Sequence, residues 1–133
     1  MKVELFPFQK RAVSDLRMKA AIALNTYRTF KIPQVISLQA PTGSGKTIIM
    51  AAMVEDIYYG TEQFAEQPEA IFVWLSDSPA LNEQTRQKFD LKADKIRFEQ
   101  CVTIEDESFD MEMLEDGHIY FLNTQKLSKA AKL

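Results

Sequence analysis

Ala40-Pro41-Thr42-Gly43-Ser44-Gly45-Lys46-Thr47 is the stretch whose reading decides the fold. It falls between an apolar run, Val35-Ile36-Ser37-Leu38, and a segment with Ile49, Met53 and Ile57 at helical spacing. Strand, glycine-rich turn and helix in that order are the setting a phosphate-binding loop requires. Glycines at 43 and 45 let successive backbone N–H groups turn towards one anion. The helix that follows adds its free N–H groups and the positive end of its dipole. Thr42 to Gly45 are therefore expected to bind phosphate through the backbone, Lys46 through its charge, and the Thr47 hydroxyl to ligate Mg²⁺. The strict pattern opens on glycine and this chain has Ala40, so the match is to the relaxed form. Nucleotide binding, with Mg²⁺ at Thr47, is the first functional expectation.

Working outward, residues 8–28 place Val13, Leu16, Ala20 and Leu24 three and four apart, which predicts a helix. Gly60 is a suitable stop for the helix after the loop. Ala70 to Leu75 is continuously apolar, rich in aromatic and β-branched residues, and predicts a strand buried on both faces. Ser78-Pro79 suits an N-cap followed by the first residue of a helix running to about Leu91. Ile96, Phe98, Val102 and Ile104 suggest a strand over 96–104, and Ile119 to Leu122 a last buried one. Met111 to Asp116 suggests a helical turn closed by Gly117, and Thr124 to Leu127 the start of a final helix. Alternating strands and helices predict an α/β fold with a mostly parallel sheet flanked by helices.

The chain has 133 residues, which allows one domain. It is 46% hydrophobic and 26% charged, the balance of a globular protein that buries a core unaided. One cysteine, Cys101, excludes an internal disulfide and a multi-cysteine zinc site. No apolar run reaches the roughly 18 residues that a bilayer span needs, and the N-terminus lacks a signal-peptide stretch, so the expected location is cytoplasmic. The formal net charge is −3, spread unevenly. Residues 1–60 hold eight Lys/Arg against four Asp/Glu, and residues 61–133 eight against fifteen. Seven of the twelve residues from Glu105 to Asp116 are acidic, a composition expected of a solvated loop or short surface helix. His118 has no second ligand at metal spacing and, like Cys101, is expected to be structural.

Ala40 to Thr47 resembles motif I of the superfamily 2 helicases and translocases, the DEAD/DEAH-box-like ATPases. Leu5-Phe6-Pro7-Phe8-Gln9, with Gln9 thirty-seven residues before Lys46, resembles the motif in which a glutamine reads the adenine edge. An amide has the paired donor and acceptor that this edge needs. Relatives often have arginine where this chain has Phe6, and Tyr-Gln where it has Phe8-Gln9. Trp74 to Gln84 resembles motif Ia and Tyr120 to Leu127 motif Ib, which touch the nucleic-acid backbone. By that resemblance Ser78, Asn123 and Thr124 belong to the nucleic-acid track. The phrase Asn123-Thr124-Gln125-Lys126-Leu127-Ser128-Lys129 is most similar to the restriction-subunit branch, the large ATP-driven subunit of type III restriction enzymes.

The resemblance implies a RecA-like P-loop NTPase domain, here partial: an N-terminal helix with the adenine-reading Gln9 over 1–30 and an α/β core over 34–133. It implies ATP hydrolysis coupled to DNA unwinding or translocation in a longer parent, partnered in a restriction system by a modification subunit. Hydrolysis needs an acidic pair at a strand end to hold Mg²⁺ and orient water. Glu105-Asp106-Glu107 has the right grammar but precedes the motif Ib-like segment, so those acids are expected beyond Leu133 and the enzymatic status of these residues alone stays open. Two alternatives remain: a kinase-like phosphoryl transferase with the same loop, and a non-catalytic interaction module built on a degenerate ATPase fold. The acidic second half opposes the kinase, whose lid needs cations.

Overall fold

The computed structural model describes residue 1 and residues 4–40, 45–76, 79–93, 95–104 and 114–123. Helix α1 spans Pro7–Phe30 and its start follows from three residues. Proline loses no hydrogen bond at the first helical position. Two residues on, the Gln9 Oε1 accepts the Phe6 backbone N–H at 2.9 Å. At the far end Lys31 turns left-handed at φ 61° and donates its N–H to the Tyr27 carbonyl at 2.7 Å. Pro33 then bars further helix. Helix α2, Lys46–Tyr59, ends where the Gly60 N–H closes on the Asp56 carbonyl at 2.9 Å. Val13 and Leu16 of α1 pack on Ile49 and Ala52 of α2.

Strand β1 is Phe72–Ser76, helix α3 Pro79–Lys92, strand β2 Cys101–Thr103 and strand β3 Ile119–Asn123. The three strands form one parallel sheet in the order β1-β3-β2. Alternation sends Phe72, Trp74, Cys101, Ile119 and Phe121 to one face, where α2 and α3 cover them. There Phe89 of α3 sits between Trp74 and Phe121, with ring centroids 5.6 and 5.8 Å away in edge-to-face contact. The opposite face carries Ile104, Tyr120 and Leu122, with Leu114 packed against them. The chain is thus an α/β protein with a parallel sheet, consistent with a partial RecA-like P-loop fold. Among the described residues no helix is long and apolar enough to cross a membrane.

Three expectations from the sequence are corrected. Val35 to Leu38 is not a strand: residues 31–40 have no regular structure, and Val35 is 92% exposed. Composition gives these residues β-propensity, but a strand exists only beside a neighbour's free N–H and C=O groups. The central strand β3 is already paired on both sides, and residues 31–40 do not join the free edge of β1 or of β2. Residues 34–37 lie along α1 instead, bounding a cavity of about 300 Å³ with Lys19 and Ile22. Strand β1 is buried on one face only: Val73 and Leu75 are each 48% exposed, because β1 is an edge and the helices cover the other side. The strand expected over 96–104 shrinks to Cys101–Thr103. Phe98–Gln100 forms a 3₁₀ turn, held by the Gln100 Oε1, which accepts the Arg97 N–H at 2.9 Å.

Of the turn expected at 111–116, residues 111–113 lie outside the described residues, and Asp116-Gly117 is a tight turn with Gly117 at φ 77°. The helix expected from Thr124 and the acidic segment with Asp106 and Glu107 also lie outside the described residues.

Candidate nucleotide site

Helix α2 begins on Gly45, the residue before Lys46, whose φ of 83° and ψ of 39° place it in the left-handed region. The first helical bond runs from the Ile49 N–H to the Gly45 carbonyl at 2.9 Å. The N–H groups of Lys46, Thr47 and Ile48 therefore have no partner within the helix and point out of its positive end. No acidic residue occupies that first turn to neutralise it. Lys46 is exposed and Thr47 half-buried, so one cation and one hydroxyl stand at the mouth of this donor set.

The Gln9 side chain comes to the same place. It is buried at 5% exposure, and a Cβ built on Gly45 would lie 2.5 Å from its Nε2. Residues thirty-six apart in sequence are thus brought into contact by the side-by-side packing of α1 and α2. The Gln9 amide is oriented from its own helix start, since its Oε1 accepts the Phe6 N–H. Beside it Phe6 and Phe8 stack at 6.1 Å and 11°, both exposed, which makes an apolar ledge next to the amide.

The position of this cluster in the fold follows from α2. Tyr58, at the carboxyl end of α2, touches Phe72, at the start of β1, with ring centroids 5.2 Å apart. Helix α2 therefore runs against the strands, and its amino end with Gly45 and Lys46 lies at the pole where the strands finish. Ser76 and Asn123 are the last residues of β1 and β3 and are register partners there. The segments carrying Ser78 and Thr124 leave from these two adjacent strand ends, although both residues, with Thr42, Gly43 and Ser44, lie outside the described residues. Ligand sites of open parallel sheets are built at this carboxyl pole.

A cavity of about 370 Å³ runs along α1 towards the carboxyl end of α2, lined by Leu5, Lys10, Val13, Arg17, Asp56 and Phe64. Sequence reading passed over Arg17, which is 4% exposed with its guanidinium carbon 4.5 Å from the centre of the Phe64 ring. Its signal was its place four residues after Val13 on the buried stripe. Burial lowers the Arg17 pKa against the attraction of Asp56, and burial likewise raises the Asp56 carboxyl above its usual range despite Arg17.

A left-handed glycine opening a helix, a lysine and a hydroxyl at its first two positions, and a parallel sheet behind it are the features of an α/β domain of the P-loop kind. The family model for the type III restriction enzyme res subunit matches residues 2–133. The chain belongs to that family, whose members are helicase-like ATPases with a P-loop domain. No curated protein matches the sequence, and no solved structure matches it.

Proposed function

We propose that the chain binds ATP with Mg²⁺ at the amino end of α2, as the nucleotide-binding part of a DNA translocase or helicase. The observation that carries this is the seating of the Gln9 amide against the left-handed Gly45, which supports a reading with adenine at Gln9 and phosphates at the start of α2. Thr42, Gly43, Ser44 and Gly45 would hold phosphate oxygens through backbone N–H groups, and Lys46 would neutralise the β- and γ-phosphates. The donor chemistry fits Mg²⁺, which takes hard oxygen ligands and needs few from protein when phosphates supply the rest. Thr47 offers such an oxygen, and the ion would supply charge neutralisation on the phosphates. Gln9 would read the adenine edge with Phe6 as the apolar platform for the ring.

In the parent enzyme this binding would drive movement along or opening of DNA, in a restriction system with a modification subunit. Ser78, Asn123 and Thr124 would follow the nucleic-acid backbone. The adjacency of the β1 and β3 ends supports this reading, because it brings two loops to one edge. Calorimetric titration with ATP and Mg²⁺ tests the first step. Lys46→Ala is expected to weaken binding by a factor of about 10 or more, the loss of one charge-assisted phosphate contact. Equal affinity before and after that substitution overturns the assignment. A fall in DNA affinity with rising salt is expected for the track, since phosphate contacts release counterions.

A further inference from the structure

The cavity of about 370 Å³ along α1 takes no part in the phosphate site at the start of α2. Its lining carries charge of both signs from different elements. Lys10 and Arg17 come from α1, while Asp56 comes from α2 and Glu62 from the segment that follows it. Two cations and two acids leave the lining neutral overall. Leu5 and Phe64, both half-buried, add apolar surface beside these charges. A cavity of this size with a few polar groups set in apolar surroundings is the usual form of a small-molecule site.

Arg17 is the residue that needs an explanation. It lines the cavity at 4% exposure, with its guanidinium carbon 4.5 Å from the centre of the Phe64 ring. A buried arginine is ordinarily paired with an acid or hydrogen-bonded on all sides. Here, among the described residues, its Nε has no hydrogen-bond partner. Asp56 attracts the guanidinium through space, yet it does not accept from that nitrogen. Stacking on Phe64 uses the face of the guanidinium and leaves its N–H groups, which lie in the plane, for an acceptor. A buried donor left unmet is costly, and a ligand that brings the acceptor removes the cost.

The edge of a guanidinium matches a planar anion with two oxygens, which describes a carboxylate. A phosphate would bring more negative charge towards Asp56 and Glu62 than the lining balances. An ammonium close to the carboxylate keeps the whole neutral and gives Asp56 a donor. We propose that this cavity binds a free α-amino acid with an apolar side chain, its carboxylate on Arg17, its ammonium on Asp56 and its side chain against Leu5 and Phe64. The exposed Lys10 and Glu62 add one charge of each sign, so they favour a zwitterion over a bare cation or a bare anion. The site is independent of nucleotide.

Titration of L-leucine into the 133-residue chain, followed by amide chemical shifts, tests this. Saturable shifts centred on Ser14, Arg17 and Gln63 are expected. N-acetyl-L-leucine lacks the ammonium and L-leucinamide lacks the carboxylate, so each should bind with a Kd about tenfold higher, the loss of one charged contact. Asp56→Asn keeps the shape of the side chain and should raise the leucine Kd about tenfold. The same variant should leave N-acetyl-L-leucine unaffected, because that ligand has no ammonium to lose. Arg17→Met should likewise abolish the difference between leucine and leucinamide. No saturable binding, equal affinity for leucine and both derivatives, or an Asp56→Asn variant that weakens leucine and N-acetyl-L-leucine alike would overturn the site. Lys46→Ala should leave the leucine Kd unchanged, and a rise there would move the ligand to the start of α2 and overturn the assignment to this cavity.

Discussion

Gly45 carries two constraints that act on one atom. Its φ of 83° is a conformation L side chains rarely adopt, and a methyl there would press on the Gln9 Nε2 at 2.5 Å. Gly45→Ala is therefore expected to cost about 1–2 kcal/mol in urea unfolding, from backbone strain alone. Adding Gln9→Ala to that variant should return only the part due to the contact, because the strained φ remains. A single variant as stable as the parent chain would contradict the left-handed cap. Gln9→Ala alone tests the reader, and its expected effect is a smaller difference between ATP and GTP affinity, measured by competition. Sequence made the glycine legible, since loop chemistry demands it, and the motif spacing placed Gln9 upstream. The contact between them was not legible, because it depends on how α1 lies against α2. Arg17 was missed for the same reason: how deeply a charged side chain is buried, and against what, is decided by neighbours far away in sequence.

At the scale of elements, helices were the easier reading. The stripes Val13-Leu16 and Ile49-Met53 and the stop at Gly60 lie within each segment, so local pattern suffices. Strands depend on partners, which explains why Val35 to Leu38 was misread and β1 was given two buried faces instead of one. The α2–α3 layer depends most on Phe121, fully buried between Trp74 and Phe89. Phe121→Ala is expected to cost about 3–5 kcal/mol, a large share of a small domain's stability, and to show as lost near-ultraviolet circular dichroism. Helix α2 also contains a pH-dependent term. The Asp56 pKa is raised, chiefly by burial, so the folded state holds that proton more tightly than the unfolded chain. Its contribution is present below the ordinary carboxylate range and is lost as pH rises through the raised value. Asp56→Asn should thus match the parent in acid and melt higher above that range, a gap visible in melting temperatures recorded against pH. A gap that closes as pH rises would give the opposite sign and remove burial as the cause.

For the whole molecule, the sheet separates two poles with different chemistry. Helix α2 spans them, with the exposed Lys46 at one end and Tyr58 and Tyr59, beside a cavity lined by Glu66, Glu99 and Asp116, at the other. Fourteen residues of helix set the two sites about 20 Å apart at 1.5 Å per residue. The uneven charge of the sequence belongs to this arrangement in part, since Glu66, Glu99 and Asp116 come from the acidic second half while Lys46 comes from the basic first. Sites this far apart with no shared side chain should contribute to stability independently. On the proposed reading ATP with Mg²⁺ is bound by the folded chain alone, so at a hundredfold excess over Kd it should add about 2.7 kcal/mol and raise the melting temperature. Lys46→Ala should abolish that rise. Glu66→Gln with Asp116→Asn, at the opposite pole, should leave it intact. A smaller or larger rise in that double variant would mean that α2 transmits a change at one pole to the other, and that the helix works as a coupler and not merely as a spacer.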